Sequence, residues 1–382
     1  MQFGTMVVPR ASDWRIIVDL ERMGYDSVWT PDSQMIYSDT YAILALAASN
    51  TSRIRLGTGV AIASTRLAPV TAHSIATINA LAPGRTFLAI GTGHTAMRVM
   101  GMDPMKIGEF REYLRVVRAL VAGEEVEFTH QGEKREIKFL HQKEGFINVE
   151  QPVPIYVAAD GPKALMATGA YGDGRICSYN QTKALLMQSL KKIELGASEV
   201  NRALPSAFHT SALTYACVLK PGENMVSDRV IDEIGAMALA ALHYWWELYQ
   251  YNGDTSSIAK SCQNLWDEYL AFTEKMETPP SKRFQQIHLG HCAFAVPVER
   301  RFVTENLIRA TGGLVGTPDE IISMLEEREA MGLNEVALLP SMDQARVNLS
   351  DFAELVIKRY RCLLYTSPSP RDRTRSRMPS SA

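Results

Sequence analysis

Apolar residues along this chain fall into short runs that alternate with longer, one-faced stretches. Gln2 to Val8 is a short apolar run and predicts a first strand. Trp14 to Met23 sets Trp14, Ile17, Val18 and Leu20 on a helical face, and Gly24 stops it. Asp26 to Thr30 predicts a second strand, closed by Pro31-Asp32, and Tyr41 to Ser49 an Ala-rich helix. Ile54 to Val60 predicts a third strand, and Pro69 to Leu81 a helix that ends before Pro83-Gly84. Thr86 to Ile90 predicts a fourth strand, and Phe110 to Val121 an amphipathic helix ending at Gly123. Four successive strand–helix units are the pattern of parallel strands joined by crossover helices.

The pattern then breaks. Val126 to Val149 alternates polar and apolar around Gly132, which predicts a β-hairpin excursion. Pro154 to Ala159 resumes as a fifth strand, followed by Asp160-Gly161-Pro162 and a helix over Lys163 to Ala170. Gly174 to Tyr179 and His209 to Leu219 predict strands six and seven, with a helix over Lys183 to Leu195 between them. Glu335 to Pro340 is the eighth strand, preceded by a helix over Pro318 to Met331 and followed by one over Phe352 to Tyr360. Eight alternating strands predict an α/β fold, a (β/α)8 barrel over residues 1–361, with a helical insertion over 222–312 between strands seven and eight. A doubly wound open sheet fits less well, because no G-x-G-x-x-G follows the first strand.

Composition narrows the function. The net charge of −2 argues against a nucleic-acid partner, and 46% hydrophobic residues supply a sizeable core. The five cysteines are scattered with no C-x-x-C pair, so neither a disulfide frame nor a metal site is expected. No apolar run reaches membrane-spanning length and the N-terminus does not read as a signal peptide, so a cytoplasmic location is expected. Thr366 to Ala382 is rich in Pro, Ser and Arg without periodicity, which predicts a disordered segment. The stretch LLYTSPSPRDRTRSRMPSSA resembles a translated adapter tail, so 366–382 is read as non-native and set outside the fold.

Candidate chemistry gathers at strand ends. Thr86 to Ile90 runs into Gly91-Thr92-Gly93-His94, where glycines permit close approach of backbone to a ligand. His94 either titrates near neutral pH beside that ligand or caps a loop. Asp160-Gly161-Pro162-Lys163 starts a helix, where free N–H groups and the positive helix end suit an anion, or it is an ordinary turn. Asp32 closes strand two at the rim where barrel enzymes keep catalytic groups, or it caps the next turn. Gly57-Thr58-Gly59 ends strand three, a backbone special point or a bulge. Tyr244-Trp245-Trp246 either walls an apolar pocket or packs as core or oligomer face. Trp29 and His73 read as structural, and Thr317 as a helix cap with Pro318 in the first turn.

Several stretches together resemble one family: GYDSVWTPD (Gly24 to Asp32), RIRLGTGV (Arg53 to Val60), LAPGRTFLAIGTGH (Leu81 to His94), PIYVAADGPKAL (Pro154 to Leu165) and GTPDEI (Gly316 to Ile321). In order and spacing they resemble the luciferase-like flavin monooxygenase superfamily, which includes the deazaflavin-dependent methylene-tetrahydromethanopterin reductases. The resemblance implies a barrel that assembles as a homodimer or homotetramer, with a non-proline cis peptide near strand three. It implies reduced flavin mononucleotide (FMN) or the 8-hydroxy-5-deazaflavin coenzyme (F-420) at the barrel mouth, no metal, and a small organic substrate. Cofactor contacts would come from Thr58, Gly59, Gly91, Thr92, Gly93, Ala159, Gly161, Pro162 and Lys163, with Asp32 and His94 the catalytic candidates. The reading taken first is oxygenation of the substrate by reduced flavin and oxygen, served by a flavin reductase. Hydride transfer with the deazaflavin is the alternative, and a non-catalytic barrel the second.

Overall fold

The computed structural model describes residues 1–178 and 180–366, with side chains to residue 362. Tyr179, the last residue of the predicted sixth strand, and the predicted disordered segment 367–382 lie outside the described residues.

Eight parallel strands close into a barrel. They are β1 (Gln2–Met6), β2 (Ser27–Thr30), β3 (Arg55–Thr58), β4 (Thr86–Gly91), β5 (Ile155–Ala158), β6 (Gly174–Ser178), β7 (His209–Thr214) and β8 (Glu335–Leu338). The order is β3-β2-β1-β8-β7-β6-β5-β4, and pairing of Leu56 with Thr86 and Gly57 with Phe87 joins β3 to β4 and closes the ring. Around it lie α1 (Ile16–Met23), α2 (Thr40–Asn50), α3 (Ala68–Leu81), α4 (Ile107–Val121), α5 (Pro162–Tyr171) and α6 (Lys183–Glu199). Gly24 ends α1 in the left-handed region at φ 93°, as the stop signal predicts. Helix α7 (Asp228–Asn252) and α8 (Gln263–Glu274) dominate the insertion; α9 (Pro318–Ala330) follows, started by a capping box between Thr317 and Glu320. Among the described residues no helix is long and apolar enough to cross a membrane.

Three local differences from the sequence-based expectation have physical causes. The seventh strand does not run to Leu219. It breaks at Tyr215, whose ring is buried in the insertion with its hydroxyl 2.5 Å from Thr311. Beyond the break, Ala216–Val218 pairs with Leu314–Gly316 as a separate two-stranded neck from which the insertion leaves and to which it returns. The third strand ends at Thr58; the chain turns through a cis Gly59–Val60 peptide, and Ala61–Ile62 pairs with the end of β4. The hairpin is shorter than expected, Val126–His130 with Glu133–Ile137, turned by Gln131 and Gly132, both at positive φ.

Alternation along the strands sorts side chains between helices and barrel interior. Outward residues such as Val28, Leu56, Leu88, Ile155 and Val336 form the large core under the helices. Inward, the N-terminal end of the barrel is plugged by polar groups. Glu335, fully buried, takes hydrogen bonds from Ser27 and Trp29 and lies 2.7 Å from His209 Nε2. Above it, Trp29, Phe87 and Tyr156 pack ring on ring, with centroids 4.5 to 5.8 Å apart. The residues at the C-terminal end are small. A Cβ on Gly59 would stand 2.6 Å from that of Trp29, and one on Gly91 3.1 Å from Val60 Cγ2. Large rings below and small residues above leave a shelf at the C-terminal mouth.

Candidate active site

The shelf is apolar and incompletely covered. Val8, Val60 and Ala158 belong to the barrel-interior cluster yet stay partly exposed. Over them runs α7. Met237 and Ala240 pack on the same cluster, and Met237, Ala240, Tyr244 and Leu248 leave one helical stripe partly open. The Tyr244-Trp245-Trp246 run is thereby divided. Trp245 and Trp246 are core of the insertion, while Tyr244 is 43% exposed and meets the His94 ring edge-on.

His94 begins a five-residue helix, His94–Arg98, directly after β4. Gly93 precedes it at φ 92°, with Ile62 Cγ2 2.5 Å from where a Cβ would stand, so the glycine is required by backbone and packing together. The imidazole opens to solvent at the edge of the recess, yet the surrounding protein lowers its pKa from 6.5 by desolvation; Glu247 opposes this and Arg98 adds to it. At neutral pH it is held as the neutral ring, able to accept a proton.

Asp32 closes β2 but does not open to the recess. It is 4% exposed, ion-paired with Arg66, and accepts from the Ile62 N–H at 3.3 Å. Burial raises its carboxyl pKa, against the pull of Arg66 and that N–H. Arg66, which sequence patterns did not single out, also reaches Asp39 at 3.1 Å. Asp32 therefore anchors the loop after β2 to the rim after β3. From that loop Gln34 donates to the Ala96 carbonyl at 3.4 Å and the Tyr37 hydroxyl to the His291 carbonyl at 2.6 Å. Thr58 is sealed in the barrel wall; its hydroxyl donates to the Ala89 carbonyl at 2.6 Å and accepts from the Ala89 N–H. Thr92 lends its carbonyl to Ser64 and Met105.

The third side of the recess is the start of α5. Ala159 is buried, with its carbonyl accepting from Arg175 Nε at 2.9 Å. Arg175 is 2% exposed and its Nη2 holds Asp160 at 2.8 Å. This buried arginine, also missed in the sequence, offsets a carboxylate that would otherwise repel an anion there. Gly161 is the N-cap of α5, Pro162 takes the first turn, and Lys163 is exposed. A Cβ on Gly161 would meet nothing within 4 Å. Free N–H groups, an open approach and a nearby lysine suit a phosphate.

A hollow of about 490 Å³ lies at the opposite, N-terminal face, lined by residues including Arg118, Tyr156, Asp173 and His209. Its charged groups are already paired, Arg118 with Asp173 at 2.9 Å and His209 with Glu335. The mouth, by contrast, presents an imidazole in its proton-accepting form and an open helix N-terminus.

Known proteins share this design. The family model described as luciferase-like monooxygenase matches residues 11–335. An F420-dependent glucose-6-phosphate dehydrogenase of Kineococcus radiotolerans is 34% identical over 241 residues, 60% of this chain and 66% of that protein. A 5,10-methylenetetrahydromethanopterin reductase of Methanolobus tindarius is 35% identical over 199 residues, 52% and 58% of the two chains. The chain thus spans less than two thirds of the length of these curated relatives. Among solved structures, the coenzyme F420 dependent tetrahydromethanopterin reductase from Methanopyrus kandleri superposes with a TM-score of 0.67 at 20% identity, covering 94% of this chain and 99% of that one. A monooxygenase from Streptomyces bottropensis gives 0.59 at 17% identity, covering 94% and 100%. At these identities the superpositions establish the (β/α)8 fold.

Proposed function

The chain belongs to the luciferase-like monooxygenase family, and from that premise we propose that it is a deazaflavin-dependent oxidoreductase that moves hydride between the coenzyme and a hydroxyl-bearing carbon of a small substrate. The observation that carries this reading is His94: a neutral imidazole, opening at the end of β4 onto an apolar shelf. The curated relatives at 34% and 35% identity, both named for deazaflavin or methanopterin chemistry, favour it over the oxygenation taken first from sequence.

The residues present fit such a group. The shelf of Val60 and Ala158 under Met237 and Ala240 takes a flat apolar ring. The N-terminus of α5 at Gly161 to Lys163, with Asp160 neutralised by Arg175, takes a phosphate. When bound, a deazaflavin supplies a hydride acceptor that does not readily activate oxygen. The chain supplies the proton chemistry. As the substrate C–H bond breaks and its electron pair leaves with the hydrogen, the hydroxyl proton passes to the His94 imidazole and the carbon–oxygen bond becomes double. Tyr244 and the α7 stripe cover the reacting carbon from water, while the Asp32–Arg66 pair fixes the rim.

Anaerobic turnover tests this. The protein is expected to reduce the oxidised deazaflavin with at least one member of a panel of alcohols and sugar phosphates under argon. Oxygen uptake with reduced FMN, and no reduction of the deazaflavin by any of the panel, would instead establish oxygenation.

A further inference from the structure

The core of the insertion is apolar except at one place. His243 and Glu247 sit one turn apart on α7, and His288, His291 and Glu299 come to the same spot from the chain beyond α8. His243, Glu247, His288 and Glu299 are all under 9% exposed. Glu247 Oε1 lies 2.9 Å from His288 Nε2, but the contact is bent and leaves that oxygen without a directed donor. Glu299 Oε2 and His243 Nε2 stand 3.5 Å apart, and neither has a protein partner; nor have His243 Nδ1 and His291 Nδ1. The other Glu299 oxygen accepts from the Tyr269 hydroxyl on α8 at 3.1 Å. The His288 and His291 rings are 5.3 Å apart, and those of His243 and His288 6.4 Å.

Leaving so many buried donors and acceptors unpaired would cost about 1–3 kcal/mol each. They alternate in kind, too far apart or too bent for direct bonds and close enough for one water to bridge each gap. Among the described residues no three His, Cys, Asp or Glu side chains are placed to hold a metal ion. Water is the occupant that this chemistry accepts.

The cluster reaches the barrel mouth through Glu247. That residue follows Tyr244 by three positions on α7, and Tyr244 meets the His94 ring at 5.7 Å. We propose that the cluster is a hydrated proton store for the mouth, in which Glu247, steadied by His288, takes up through water the proton that His94 receives. The origin of that proton in a substrate hydroxyl rests on the function proposed above; the coupling of His94 to Glu247 does not. In the transfer an imidazolium N–H bond breaks and a carboxyl O–H bond forms, His94 returns to neutral, and no electron moves. The charge of Glu247 already acts on His94. The other titratable groups facing the path are Tyr244, His243, His288, His291 and Cys292, with Glu299 and Tyr269 behind them and Arg98 beside His94.

The test uses the cofactor-free full chain. The His94 ring is titrated by NMR, its signal assigned by loss in His94→Gln, in wild type, Glu247→Gln and His288→Gln. Both variants are expected to lower the His94 pKa, because each removes or neutralises the carboxylate near it. In the loaded enzyme, Glu247→Gln is expected to cost about tenfold in kcat with cofactor Kd unchanged, and Glu247→Asp to recover part of it. If Glu247→Gln does not fold, His288→Gln gives the same reading. A His94 titration that neither variant moves would overturn the store, whatever the enzyme turns over. A titration that moves in a protein inactive on every alcohol would leave the store standing and remove the proposed reaction.

Discussion

The His94 ring meets the Tyr244 ring edge-on, 5.7 Å between centroids and 69° between planes. One residue ends the fourth barrel strand and the other lies midway along the insertion helix, 150 positions later in the chain. That contact fixes the roof of the recess against its catalytic edge, and the proposed chemistry depends on it.

His94→Gln keeps a polar side chain of similar reach but cannot hold a proton between pH 5 and 9. It is expected to lower kcat by about 10²–10⁴ with little change in cofactor affinity. In the wild type the neutral ring is the working form. Because the folded pKa lies below 6.5, rate is expected to hold as pH falls to that value and to drop only at lower pH. An acid limb above 6.5, or a His94→Gln enzyme with unchanged kcat, would contradict the assignment.

Two glycine replacements separate packing from binding. Gly59→Ala places a methyl 2.6 Å from the Trp29 Cβ inside the barrel and is expected to destabilise the fold by about 1–3 kcal/mol, seen as a lower melting temperature. Gly161→Asp meets open space at an N-cap, where Asp is favoured, so melting is expected to be unchanged or slightly raised. The same change sets a negative charge beside the phosphate and is expected to weaken cofactor binding by about tenfold or more, near 1.4 kcal/mol. Equal cofactor affinity in Gly161→Asp and wild type would move the phosphate elsewhere.

Asp32→Asn leaves Arg66 with only Asp39 for a carboxylate partner, at the more exposed end of the pair. A loss of about 2–3 kcal/mol is expected, read by urea unfolding, because a half-buried guanidinium loses its sealed counter-charge. Stability within a few tenths of wild type would show that the pair does not anchor the rim.

His291 is held far below its ordinary 6.5 by burial and by the neighbouring His288 and His243. The folded state refuses a proton that the unfolded chain accepts below that pH. Stability is therefore expected to fall as pH drops under 6.5, with a slope of up to about 1.4 kcal/mol per pH unit for this one group. His291→Asn should flatten that part of the profile if the variant folds; an unchanged slope would assign the acid sensitivity to other groups.

The barrel was legible because its strands are apolar blocks separated by stop signals such as Gly24 and Pro83-Gly84, and each strand–helix unit reports on itself. Thr317 as a cap and Trp29 as core were legible for the same local reason. What stayed hidden depends on distant partners. Arg66 and Arg175 look like ordinary charged residues until the fold sets them against Asp32 and Asp160. The break at Tyr215 is invisible in an apolar run, since only the insertion core tells that ring to turn away. The polar cluster of His243, Glu247, His288 and Glu299 is spread over 57 positions among aromatics, and the insertion read only as partly apolar. The helical spacing of His243 and Glu247, four apart on the face of α7 away from Tyr244, was the one signal that might have marked it.

The central claim is a deazaflavin site at the barrel mouth with its phosphate on α5, and equilibrium titration of the purified chain tests it most directly. Oxidised deazaflavin coenzyme and FMN are titrated separately by fluorescence, into wild type and into Gly161→Asp. Saturable binding of the deazaflavin, tighter than that of FMN and weakened in Gly161→Asp, is the expected result. Tighter binding of FMN, or no saturable binding of either cofactor, would contradict the account.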